Sequence, residues 1–165
     1  MKKLLYASFS YAAAGVLSGL YYREFTKANG FSGDSQLGLV HTHWLVLGFI
    51  VLLIVLALEQ LFRISAAAPK LSAWFFGIWN AGVVITGGIM LVKGSMVVAG
   101  VDASSKALSG IAGMGHILLT AGLVLLFLAL RKAVLAQLPH SVRAVKGPAE
   151  EADDDGGRVP SSNLT

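Results

Sequence analysis

Two histidines separated by one threonine, His41-Thr42-His43, open a long apolar stretch running from Leu37 to Phe49 and beyond. A third, His116, follows Gly110, Gly113 and Gly115 in another apolar run. Imidazole binds metals through a ring nitrogen and exchanges protons near neutral pH. Inside an apolar run it is costly, and it usually faces a bundle interior or a functional cavity. The chain has no cysteine, which excludes disulfides, thiolate-ligated metal centres and c-type haem attachment.

Spacing narrows the chemistry. At the helical period His41 and His43 point roughly 200° apart, so they cannot serve one metal from one side of their helix. A closed zinc site prefers an i, i+4 pair with further ligands nearby. The apolar run from Leu71 to Val92 has no histidine, and the charged residues mark only the ends of the runs. Haem suits the pattern better. Its iron takes axial imidazoles from opposite faces of a flat macrocycle that needs a large apolar slot. Trp44, Phe49, Trp74, Phe75, Phe76 and Trp79 offer aromatic walls, and Gly38, Gly48, Gly110, Gly113 and Gly115 let a flat ring approach the backbone. Arg23, joined by Lys93, is placed to pair with the propionates, since an Arg fork matches a carboxylate. The expected cofactor-binding residues are His41, His43, His116 and Arg23, with His41 and His43 on the metal.

The elements that must position these groups are membrane helices. The 165 residues are 55% hydrophobic and only 13% charged, with a mean hydropathy of +0.70. Charges bracket four uncharged runs: Leu4 to Tyr22, Leu37 to Leu58, Leu71 to Val92 and Ala107 to Leu130. Each approaches the roughly 20 residues a helix needs to cross about 30 Å of hydrocarbon. The predicted fold is an all-α membrane protein, a four-transmembrane-helix bundle over 1–137. The acidic, Gly- and Pro-containing segment 138–165, with His140 and the Asn163 sequon in it, is expected to be a disordered cytoplasmic tail. Lys2, Lys3 and the small residues Ala12, Ala13 and Ala14 suggest a signal peptide. The apolar stretch continues to Tyr22, longer than such a segment needs, so an anchored helix is expected.

Lys and Arg divide unevenly between the two ends of the spans. Lys2, Lys3, Arg63, Lys70, Arg131, Lys132, Arg143, Lys146 and Arg158 share one side; Arg23, Lys27, Lys93 and Lys106 share the other. The positive-inside rule places both termini in the cytoplasm. His41 and His43 then lie roughly 6–9 Å, and His116 roughly 13 Å, below the outer surface. Gly15 and Gly19 read as a helix-packing pair, and Asn80 as a hydrogen-bonding residue between helices.

The segments "YREFTKANGF", "HTHWLVLGF" and "SGIAGMGHILL" resemble a family of small four-helix bacterial membrane proteins of unknown function, over roughly residues 1 to 132. That implies a multi-pass protein of the bacterial inner membrane. The His-x-His also resembles the catalytic subunit of haem-copper oxidases, in which twelve helices form three four-helix arcs. There the second helix of the third arc carries a His-x-His that ligates two different haems. His41 and His43 match it by helix and spacing. The resemblance implies a homotrimer of this chain copying the twelve-helix core. His41 of each protomer would face His43 of the next across a shared haem. The copper ligands of the oxidases have no counterpart in the third span, so copper and oxygen reduction of that type are not expected.

The function expected is a membrane haem-b protein for electron transfer or redox sensing, with bis-histidine iron and no enzymatic role of its own. The alternatives are a cofactor-free accessory subunit whose histidines serve helix packing, and a metal or small-solute permeation protein. Nucleic-acid binding is not expected, because the basic residues of this chain (net charge +4) sit at span ends.

Overall fold

The computed structural model describes residues 1–137, and these form only helices and their connections. The expected tail 138–165, with His140 and Asn163, lies outside the described residues. Helix α1 spans Lys2–Ala28 and α2 spans Leu37–Phe62. A single turn, α3 (Ile64–Ala67), precedes α4 (Pro69–Val98) and α5 (Lys106–Gln137). Helices α1, α2, α4 and α5 are each long and apolar enough to cross a membrane. Their outward faces carry Leu5, Tyr6, Phe9, Val16 and Leu17 on α1, and Ile117, Val124 and Phe127 on α5. So much exposed apolar side chain suits lipid, not water. Four such helices suggest a membrane protein.

All four long helices extend past the uncharged runs. Arg23 and Lys27 lie within α1, Lys93 within α4, and Arg131 and Lys132 within α5. Long basic side chains near a helix end reach back to the interface, so a charge need not end the helix.

The helix ends follow local chemistry. Gly30 and Gly100 take positive φ (59° and 72°) just beyond α1 and α4. In both places the glycine and the residue after it donate back into the last turn: Gly30 to Lys27 and Phe31 to Thr26 (3.2 and 3.0 Å), Gly100 to Val97 and Val101 to Met96 (3.1 and 2.8 Å). This pairing closes orphan carbonyls and suits glycine, which lacks the Cβ that disfavours that conformation. At the opposite end Arg63 adopts the same left-handed geometry (φ 49°), and Pro69 starts α4 at a position where its missing N–H is not needed.

Consecutive long helices pack side by side. Helix α1 lies along α2, α2 against α4, and α4 along most of α5; α5 meets α2 through the latter's second half, Val51–Phe62. Leu52, Val55, Phe75, Trp79, Val83 and Leu126 form one core cluster, and Leu37, Val40, Met90 and Val98 form another near the opposite end. Small residues set the approach. Gly15 faces Leu45, Gly48 faces Tyr11, Gly87 faces Trp44, and Gly94 faces the backbone of Leu37. The expected packing role of Gly15 and Gly19 matches this geometry, because both lie against α2. Asn80 differs from expectation: its amide donates to Phe76 O of its own helix (2.6 Å), and its main-chain oxygen accepts from Tyr11 of α1 (3.4 Å).

One feature of α2 has no signature in composition. Trp44 to Ile50 is a π-helical segment, starting one residue after His43. Trp79 on α4 donates its indole N–H to Leu47 O within it (3.0 Å). A neighbour's donor claiming a carbonyl favours a widened turn, and such turns recur at functional sites.

Candidate functional site

His41 and His43 lie in the first turns of α2, in regular α-helix, and occupy different flanks. Leu37, Val40 and Trp44 form the stripe that faces α4. One residue round from Val40, His41 lies over α1, where a Cβ built on Gly19 would be 3.6 Å from the His41 Cβ. Its Nδ1 is buried without a hydrogen-bond partner among the described residues, and its Nε2 lies 3.3 Å from the Thr42 hydroxyl. His43 points roughly 200° away, as its spacing requires.

His43 and His116 share one arrangement. The Nδ1 of His43 is 2.9 Å from Leu39 O, and the Nδ1 of His116 is 2.9 Å from Ala112 O. A carbonyl only accepts, so the ring proton of the neutral form belongs on Nδ1. The lone pair then sits on Nε2, the state required of a histidine about to bind a metal. His43 is half-buried and His116 exposed. His116 lies one residue round α5 from Gly115, which is pressed against Thr86 of α4. Gly110 and Gly113 have nothing within 4 Å of a built Cβ, so the surface leading to His116 is flat and open.

Among the described residues, no group of three or more His, Asp or Glu side chains comes together. The three histidines present three separate surfaces. Arg23 is 76% exposed and pairs with Glu24 on its own helix at 3.6 Å. Such an exposed pair contributes little to stability, and Arg23 keeps its freedom to take another anion. Lys93 donates to Ser109 Oγ across the α4–α5 junction (3.3 Å).

A second constellation lies at the other end of α2. Glu59 bounds the second apolar run in sequence, yet it lies inside α2 and is only 8% exposed. Its carboxylate accepts from the Ser65 N–H (2.9 Å) and from the Ser65 hydroxyl. Glu59 also lines a cavity of about 280 Å³ with Lys3, Ser65, Ser72, Phe75 and Phe76. The eighteen residues from His41 to Glu59 place this cavity roughly 27 Å along the helix from the histidines.

Residues 1–133 match a family model described as a protein of unknown function, DUF2871. The chain belongs to the DUF2871 family. Neither a search of curated proteins nor a search of solved structures finds a match. The oxidase likeness of His41-Thr42-His43 therefore rests on that motif alone.

In this DUF2871 protein half of the aromatic residues expected to wall a cofactor slot, Phe75, Trp79 and Trp44, have other partners. Phe75 and Trp79 lie in the core with Leu52 and Val55, and Trp44 is set against Gly87. Gly38, Gly48 and Gly115, expected to admit a flat ring, instead receive Tyr22, Tyr11 and Thr86. Bulky residues of adjacent helices claim these glycines because the bundle closes only where backbones approach. Gly110 and Gly113 alone of that set stay open. Sequence reasoning passed over Glu59 and Ser65. The signal was present: a carboxylate one turn before the end of an apolar helix, with a serine six residues later.

Proposed function

We propose that this protein is a multi-pass protein of the bacterial inner membrane that binds b-type haem through two histidines and serves electron transfer or redox sensing. The supporting observation is the placement of His41 and His43 on different flanks of α2, with no main-chain group bound to Nε2 of either ring. Two such ligands belong to two different pockets. In a head-to-tail homotrimer, which closes on itself, His41 of one protomer and His43 of the next would together hold each haem.

The imidazoles suit that group as ligands. His43 has the Nδ1–H···O=C bond that orients a ligating imidazole and leaves Nε2 basic. His41 has a buried Nδ1 without a partner among the described residues. An orphaned polar atom of this kind is costly, and a functional role for the ring accounts for keeping it there. Arg23, exposed near the end of α1, is available to a propionate. Haem would supply a one-electron ferric–ferrous couple there. The protein's own contribution is to hold both imidazoles, exclude water and set the polarity around them. A cofactor-free accessory subunit is the second reading, favoured by the bonds that His43 and His116 make to their own helices. An absorption spectrum of the purified protein separates the two: a Soret band of about one haem per chain supports the first, and its absence after haem-replete expression supports the second.

Two further outcomes follow. Elemental analysis is expected to find iron without stoichiometric copper, since α4 offers no imidazole. Copper equal to protein would mean that ligands other than histidine hold it. Both termini are expected on the cytoplasmic side, with Phe25 to Gln36 and Gly94 to Ser105 outside, from the Lys and Arg distribution. Single cysteines introduced in those two connections should react with a membrane-impermeant reagent in intact cells, and one at position 2 should not. The reverse pattern would invert the depth assigned to the histidines.

A further inference from the structure

The cavity beside Glu59 has a composition that packing does not explain. A carboxylate buried to this degree usually pairs with a cation. Here it accepts from Ser65 alone among the described residues, although Lys3 lines the same cavity. Its structural task is to receive the free N–H at the start of α3, which a serine or asparagine performs without the cost of burying a charge. Each carboxylate oxygen also retains a lone pair beyond its bond to Ser65. The group has spare accepting capacity, which a donor entering the cavity can use.

The walls say what kind of donor. Phe75, Phe76, Val55, Leu4 and Leu126 make the cavity largely apolar, and Ser72 adds a hydroxyl. Exposed Ala73 and Lys3 form its rim, so it opens at the surface of the bundle. At about 280 Å³ it lies near the lower end of the range for small-molecule sites, room for one substituted ring. A flat aromatic ring bearing hydroxyl donors and arriving from the membrane satisfies each of these conditions. We propose that this cavity binds the headgroup of a lipid-soluble hydroquinone, with Glu59 accepting a hydrogen bond from a ring hydroxyl and Phe75 and Phe76 flanking the ring. The site is independent of haem and is tested without it.

The test is calorimetric titration of the purified full chain in detergent, under argon, with decylubiquinol, decylubiquinone and dodecylamine. Saturable binding of the hydroquinone is expected, with the oxidised ring at least tenfold weaker because it has no hydroxyl to donate. The amine is expected not to bind. Glu59→Gln keeps the shape and an acceptor for Ser65 but removes the charge, and should weaken hydroquinone binding about fivefold to tenfold. Ala73→Phe fills the cavity from its exposed rim without touching Glu59, and should abolish binding while leaving the unfolding midpoint unchanged. No saturable binding to the wild type, equal affinity for both redox forms, tighter binding of the amine, or unaltered binding in Ala73→Phe each overturns the proposal.

Discussion

His43→Ala is expected to abolish the six-coordinate low-spin haem spectrum, and His41→Ala to do the same, while His116→Ala leaves it largely intact. The expectation follows from where the three rings point. His41 lies over α1, and His43 faces away on the other flank, its Nδ1 tied to Leu39 O and its Nε2 free. In the proposed head-to-tail trimer every haem would draw one histidine from each kind of flank, so losing either residue would remove one ligand from every site. Loss of an axial imidazole should lower retained haem at least about tenfold, since even the groups that orient such ligands are worth 10–100-fold. His116 has the same Nδ1–H···O=C arrangement, on the exposed face of α5. Spectra of the three variants, with native mass of the wild type, decide the matter. A His116→Ala protein without the low-spin spectrum, alongside a normal His41→Ala or His43→Ala protein, would assign the haem to a different pair. A monomer with full haem would remove the shared site.

Gly94→Ala is expected to be the most damaging single-methyl addition in the bundle. A Cβ at Gly94 would overlap the backbone nitrogen of Leu37 and come within 2.7 Å of its Cα. Leu37 is fully buried, belongs to the cluster with Val40, Met90 and Val98, and begins α2 four residues before His41. Ser35 also donates to Gly94 O at 2.9 Å, fixing the same junction from the other direction. A side chain can rotate away from a new methyl, but a buried helix start cannot. The two helices must part, at a cost of about 1–3 kcal/mol or more. Gly88 on the same helix has nothing within 4 Å of a built Cβ, so Gly88→Ala is the control and should be neutral or slightly stabilising. Unfolding of both variants in detergent, followed by loss of helical signal, measures the difference. Equal midpoints would show that the α2–α4 contact is not close in the protein. If haem binds as proposed, Gly94→Ala should also disturb its spectrum, because it shifts the turn that carries His41 and His43.

Much of the fold is legible in residue order. Uncharged apolar runs of adequate length, separated by charges, specify four membrane helices, and the described residues contain four helices of that kind. The ends were less legible. Arg23, Glu59 and Lys93 mark the limits of the runs in sequence but lie within helices. Hydropathy registers the cost of a charge in lipid; it does not register that a long side chain reaches the interface or that a neighbouring serine satisfies a carboxylate. The angle between His41 and His43 was legible too, because helical period alone dictates it.

What residue order determined by itself is therefore local and periodic: four apolar helices, and two histidines facing different ways on one of them. Tertiary packing decided the rest. Gly87 and Gly94 became contact points while Gly88 stayed open, because only the facing helix supplies Trp44 or Leu37. The π-helical turn after His43 depends on a donor from Trp79, thirty-two residues from its acceptor. Glu59 became a buried acceptor because α3 folds back to bring Ser65 against it while α1, α4 and α5 close round the cavity. Each of these depends on which side chain another helix presents, and a single helix's sequence holds no record of its neighbour.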